Sequence, residues 1–173
     1  MKFNYYIPTR ILFGKGMLNR LSRQELPGKK ALIVTTGGTS VKKYGYLARV
    51  EEQLDKAGAE HLLFDRILPN PIKDHVMEGA ALAKANGVDF VVGLGGGSAI
   101  DAAKGIAIAA GHRGKIWDFA PTPSGGRQAI TGATLPVVAV TTTSGTGSHV
   151  TQYVVITNPE TKEKPGFGCD YTW

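Results

Sequence analysis

The chain has 173 residues, 42% of them apolar and 20% charged, enough to bury the core of one domain without disulfides or a structural metal. Its formal charge of +6 raises nucleic-acid binding, but the cations are spread in pairs (Lys29-Lys30, Lys42-Lys43, Lys162 and Lys164) without aromatic interleaving, and affinity for a phosphate-bearing small molecule explains the surplus as well. No apolar run approaches the ~20 residues of a membrane span, no signal-peptide pattern opens the chain, and the lone Cys169 suits a reducing compartment; the expectation is a soluble, cytoplasmic protein.

Residues Asn4 through Phe13 alternate and are rich in Tyr, Ile and Phe, ahead of Gly14 and Gly16, which predicts edge strands or a hairpin. Ala31-Leu32-Ile33-Val34 is a short continuous apolar run, the pattern of a strand buried on both faces. It ends at Thr35-Thr36-Gly37-Gly38-Thr39-Ser40. Leu47, Val50, Leu54 and Ala57 then fall at helical spacing, with Gly58 placed as a C-terminal cap. His61 to Phe64 reads as a second strand. After the break at Pro69-Asn70-Pro71, Val76, Ala80 and Ala83 form another apolar stripe, closed by Gly87. A third strand, Val88 to Gly93, runs into Leu94-Gly95-Gly96-Gly97-Ser98, and Ile100, Ala103, Ala107 and Ile108 make a helix ending at Gly111. Leu135 to Val140 gives a fourth buried strand, and a last one is expected near Tyr153 to Thr157. Strand–helix units spaced near thirty residues imply βαβ crossovers and a mostly parallel, doubly wound Rossmann-like α/β sheet. The chain stops at Trp173 without a closing element, so residues 1–173 are expected to be a single nucleotide-binding domain cut from a longer architecture.

Two loops carry chemistry, and each follows a strand, where open parallel sheets bind ligands. Glycine supplies 23 residues, well above its average share of about 7%. In Gly93-Leu94-Gly95-Gly96-Gly97-Ser98-Ala99-Ile100-Asp101, glycines let phosphate oxygens approach the backbone amides at a helix start. Ser98 is expected to cap that helix, with Asp101 completing a capping-box-like pair. The bland alternative is a tight, well-capped strand–helix turn. The second loop, Thr141-Thr142-Thr143-Ser144-Gly145-Thr146-Gly147-Ser148, offers hydroxyls and free amides without adding charge. Its bland alternative is an ordinary polar surface loop.

Together with Arg10-Ile11-Leu12-Phe13-Gly14-Lys15-Gly16 and Pro69-Asn70-Pro71, in the same order, these segments resemble the iron-containing (group III) alcohol dehydrogenase family, closest to its butanol dehydrogenase-like members. The resemblance covers essentially the whole chain. It implies an oxidoreductase that interconverts alcohols and aldehydes or ketones with a nicotinamide cofactor. The amino-terminal part would hold that cofactor, and a helical carboxy-terminal domain, absent from this chain, would hold iron or zinc. It also implies roles for particular residues. Gly95, Gly96, Gly97 and Ser98 match the pyrophosphate loop, and Asp101 a residue near the cofactor. Thr141, Thr142, Ser144 and Thr146 match the loop lining the phosphates and nicotinamide. Asn70 matches an adenosine-side contact and Lys164 a lysine near the ribose. A homodimer is expected on the same grounds, with no nucleic-acid or membrane partner.

Gly37, Gly38, Thr39 and Ser40 stand where NAD-preferring relatives often carry an aspartate, and Lys42-Lys43 follow, which favours the 2′-phosphate of NADP. Asp65, near the end of the second strand, competes as the ribose acid of an NAD site. His149 stands where the family usually has glutamate. His61, His75, His112 and His149 show no metal-ligand spacing, Cys169 is a bystander, and Lys104 reads as a solvated helix residue. No metal site is expected within these residues, and the chain alone should bind nucleotide without turnover. Two alternatives remain open: the same architecture with glycerol dehydrogenase or dehydroquinate synthase-like chemistry, and a non-catalytic nucleotide-binding or interaction module.

Overall fold

In the computed structural model, which describes residues 1–4 and 6–173, β1 (Lys30–Thr36) lies inside a four-stranded parallel sheet. Its neighbours are β2 (Glu60–Ile67) and β3 (Phe90–Gly95), and β4 (Val137–Thr141) pairs beyond β3, giving the order β2-β1-β3-β4. The register sets Ile33 between Leu63 and Val92.

Alternate residues of a strand point to opposite faces, so one apolar run builds two cores. Ala31 and Ile33 join Phe90, Val92 and Leu94 under Leu47, Val50 and Leu54 of α2 (Tyr46–Lys56), which follows the short α1 (Ser40–Lys43). Leu32, Val34 and Val91 pack on the other face under α3 (Lys73–Ala85) and α4 (Gly97–Gly111). The Cβ-free Gly79 of α3 is what allows this helix pair to close: a Cβ there would come 2.4 Å from Ile106 Cδ1.

The path of the chain decides where a ligand can sit. It leaves β1 through α2 over one face to reach β2, then returns through α3 over the other face, past β1, to β3. The direction of winding therefore reverses between β1 and β3. At such a point the loops after two adjacent strands diverge to opposite faces and leave a crevice between them.

Two expectations fail and one is refined. Among the described residues of the segment 1–13 there is no strand, because no other strand of this chain comes alongside to form a ladder; Tyr5 lies outside the described residues. Phe3, Ile11, Leu12 and Phe13 are exposed, and Tyr6 stands edge-on to Trp173 with centroids 6.0 Å apart. The strand expected near Tyr153 to Thr157 is present but short, and it lies outside the parallel sheet. Instead β5 (Val154–Val155) pairs antiparallel with β6 (Gly166–Phe167), after the chain turns back at Asn158–Glu163. Finally, β3 continues through Leu94 to Gly95, so the glycine loop is shorter than its sequence suggests.

Candidate nucleotide-binding site

The glycines after β3 have separate duties. A Cβ on Gly93 would meet Ala103 Cβ at 3.0 Å and Ile100 Cα at 3.2 Å, so this position lets α4 pack directly on the strand. Gly95 holds φ +145°, a conformation essentially reserved for glycine, and turns the chain out of the sheet. Gly96 and Gly97 receive the hydroxyl loop: their Cβ positions lie 3.1 Å from Thr143 Oγ1 and 2.6 Å from Thr146 Oγ1. The two loops are thus seated on each other. The Thr142 N–H donates to the Gly95 carbonyl at 3.0 Å, and Thr146 Oγ1 shares a hydrogen bond of 2.8 Å with Ser148 Oγ.

Ser98 does not cap α4. The N-cap is Gly96, in an extended conformation and without a side chain to offer, so the first-turn amides keep no side-chain acceptor. Ser98 is the second helical residue, and its Oγ accepts the Asn70 N–H at 3.2 Å. Asn70 itself has φ +59°, a left-handed geometry that asparagine tolerates better than most residues. Its Oδ1 accepts from Lys164 Nζ at 2.6 Å. The Ile72–Thr157 bridge joins the two distant segments, with the Thr157 N–H donating to the Pro71 carbonyl and the Lys73 N–H to that of Thr157.

Asn70, Gly97, Ser98, Asp101, Thr146 and Lys164 meet around a cavity of about 320 Å³ at the N-terminus of α4. That volume is at the lower end of small-molecule sites and suits one portion of a dinucleotide. Gly95, Gly96, Thr141 and Thr142 are not among its lining residues although the Thr142–Gly95 hydrogen bond joins the two loops, and Thr141, Thr142 and Ser144 are exposed. Gly37, Gly38, Thr39 and Ser40 lie outside the cavity at the end of β1, across the crevice. Sequence reasoning missed Ser148, Thr151, Tyr153 and Val155, which complete the wall.

Asp101 is buried in the floor of the cavity, and its Oδ2 accepts the Val155 N–H at 3.3 Å while Oδ1 has no partner. Burial pushes this carboxyl up from its ordinary value. The Ser148 hydroxyl, the Val155 N–H and the charges of Lys104 and Lys164 act the other way. Lys104, read from the sequence as solvated, is 2% exposed, and burial lowers its ammonium to about 8. The reason is its helix: Ala99, Ile100, Ala102, Ala103 and Ile106 leave no polar face, so α4 is covered all round. That was a signal available in the sequence.

Across the crevice, Lys42 Nζ lies 2.6 Å from Asp65 Oδ2, and this contact holds the Asp65 carboxyl below its usual range. The Gly37 N–H donates to the Ile67 carbonyl at 3.0 Å, fixing the loop beside the end of β2. No three His, Cys, Asp or Glu side chains converge on a possible metal position among the described residues. These residues do not by themselves fit an iron site. Among the described residues no helix is long and apolar enough to cross a membrane.

The crevice at the reversal of winding thus has glycines seated under a hydroxyl loop and an α4 N-terminus without a side-chain cap, with Asp101 in the same lining. The family model described as iron-containing alcohol dehydrogenase matches residues 8–172. The chain belongs to the iron-containing alcohol dehydrogenase family. It is 39% identical over 166 residues to a probable NADH-dependent butanol dehydrogenase of Bacillus subtilis, covering 96% of this chain and 42% of that protein. The crystal structure of an archaeal halo-thermophilic alcohol dehydrogenase from a Red Sea brine pool, bound to NZQ, superposes with a TM-score of 0.92 at 48% identity, covering 99% of this chain and 44% of the other. A sulfoacetaldehyde reductase from Bifidobacterium kashiwanohense in complex with NAD⁺ superposes at 0.87 with 30% identity, over 100% of this chain and 44% of that one. The chain thus spans less than half the length of the relatives it matches.

Proposed function

We propose that this chain is the nicotinamide-nucleotide-binding part of a dehydrogenase that interconverts alcohols with aldehydes or ketones, and that residues 1–173 form one nucleotide-binding domain. The observation that carries the proposal is the seating of Gly97 under Thr146 at the start of α4, which joins both strand-end loops around one cavity. Gly97 and Ser98 would present amides to a phosphate group, and Lys164 would offset its charge. Asp101, with one free oxygen, would accept an O–H or N–H of the ligand. A bound nicotinamide supplies the hydride carrier; this chain binds and orients it.

For the adenosine end, we favour NADP. Gly37, Gly38, Thr39 and Ser40 offer amides and hydroxyls without an acid, and Lys42 and Lys43 stand beside them to meet a 2′-phosphate. A second reading, NAD, is favoured by the placement of Asp65 against this loop and by relatives whose names carry NADH dependence. In that reading Asp65 takes the ribose hydroxyl and Lys42 only positions it.

Calorimetric titration of the purified chain with NADPH and NADH tests both levels. Preference for NADPH supports the 2′-phosphate reading; preference for NADH removes it and keeps the site. If neither binds to a folded chain, the nucleotide-site reading falls. Exposed Phe3, Ile11, Leu12 and Phe13 supply an apolar strip for pairing of two chains, which size-exclusion chromatography with light scattering would detect. The partly exposed free thiol of Cys169 suits a cytoplasmic location.

A further inference from the structure

Lys104 is among the largest fully buried side chains, yet it does not line the cavity. A buried ammonium is costly unless it is paired, and an apolar residue would pack as well in this helix. Two neighbours account for it. One helical turn before it, Asp101 faces the cavity from the same helix. At its tip, Lys104 Nζ donates to the carbonyl of Thr151, in the segment between Ser148 and Tyr153 that walls the cavity.

We propose that Lys104 is a positioning residue for the nucleotide site: its ammonium anchors the Thr151 backbone and balances the charge of Asp101, so that the Asp101 carboxylate in the cavity lining stays ionised as an acceptor for the ligand. This rests on the reading of the cavity as a nucleotide site. The charges acting on the pair come from α4 itself and from Lys164 on the facing loop. His149, on the turn at Ser148–Val150, and Tyr153 are the other titratable groups of the wall segment. The directions agree with the assignment: Lys104 helps to hold Asp101 ionised against burial, and Asp101 helps to keep Lys104 protonated.

Three variants separate the duties. Lys104→Met removes charge and donor, Lys104→Gln keeps a donor for Thr151 without charge, and Lys104→Arg keeps the charge. Asp101 is followed by carbon-13 NMR titration of its carboxyl, and NADPH and NADH affinity by calorimetry from pH 6 to 9. In Lys104→Met and Lys104→Gln the Asp101 midpoint should rise by about one unit or more. Nucleotide affinity should fall about tenfold toward the acid end of that range and recover toward pH 9, because a raised midpoint lets Asp101 take up a proton at higher pH. Lys104→Arg should restore the wild-type midpoint and the affinity at the acid end of the range, an outcome that lost packing alone would not produce. If wild type binds and all three variants match it in midpoint and affinity, the role of Lys104 is overturned and the nucleotide site stands. If folded wild type binds neither nucleotide, the site reading falls. The Asp101 midpoint then still decides: unchanged in Lys104→Met, it overturns the coupling; raised, it retains it.

Discussion

Gly97→Ala probes the contact on which the proposed site depends. The new Cβ would lie 2.6 Å from Thr146 Oγ1 and 3.3 Å from Ser148 Oγ, whereas ordinary contact begins at 3.4 Å. Thr146 must therefore retreat by most of an ångström, which breaks its 2.8 Å hydrogen bond to Ser148. That loss is worth about 1 kcal/mol, against a helix-propensity gain of at most about 1 kcal/mol for replacing glycine. The single variant should consequently fold with nearly unchanged stability while nucleotide affinity falls about tenfold through the displaced loop. Thr146→Ala alone loses the same hydrogen bond but makes room for the Cβ. In the double variant the clash has no object, so the two single costs should exceed the double cost by about 1 kcal/mol. Urea denaturation of the four proteins measures this coupling, and calorimetry with NADPH and NADH measures affinity alongside. Additivity within about 0.3 kcal/mol would refute the loop-on-loop account.

Lys104 predicts a pH dependence of stability. Its ammonium titrates near 8 in the fold and near its ordinary 10.5 when unfolded. As pH falls through that interval the unfolded chain takes up a proton that the fold refuses. Stability relative to Lys104→Met should drop by an amount on the order of 3 kcal/mol from pH 10.5 to 8, then level off; a flat difference in urea experiments would contradict it. His112 joins α4 to the loop at Thr131, with its ring 2.9 Å from the Ile108 carbonyl and 2.9 Å from Thr131 Oγ1. His112→Ala should speed amide exchange at Thr131 and Thr134 while leaving the sheet protected. Asn70→Gly should keep the left-handed backbone, whereas Asn70→Ala should cost about 1 kcal/mol more, read from urea midpoints. Lys42→Ala frees Asp65 and should shift preference toward NADH; unchanged selectivity would remove this ion pair from cofactor choice.

The central strands were legible because Ala31 to Val34 and Phe90 to Val92 are apolar without alternation, as burial on both faces requires. The helix ends at Gly58 and Gly87 were legible for a different reason: both glycines adopt the left-handed φ that a terminating helix asks for. Ser98 was misread because a serine before an apolar run is a good cap only if its backbone is extended, and here Gly96 takes that conformation. The segment at Asn4 to Phe13 carries a strand pattern, but pattern alone cannot supply a partner edge. Thr151 and Tyr153 could not be found, since nothing local says that this stretch returns to the start of α4. Lys104 could have been: a lysine in a helix with no polar face has nowhere to reach water.

The hydrogen bond between Lys164 and Asn70 joins residues 94 positions apart, and the Ile72–Thr157 bridge beside it spans nearly as far. A growing polypeptide can lay down β1, β2 and β3 long before the stretch that walls the cavity leaves the ribosome. Sheet formation and ligand competence are therefore separate events in the life of the chain. The first depends on contacts available early, and the second waits for a distant segment to come back across the strand ends. A nucleotide added during synthesis could stabilise only the later species, which makes cofactor capture a read-out of completed folding.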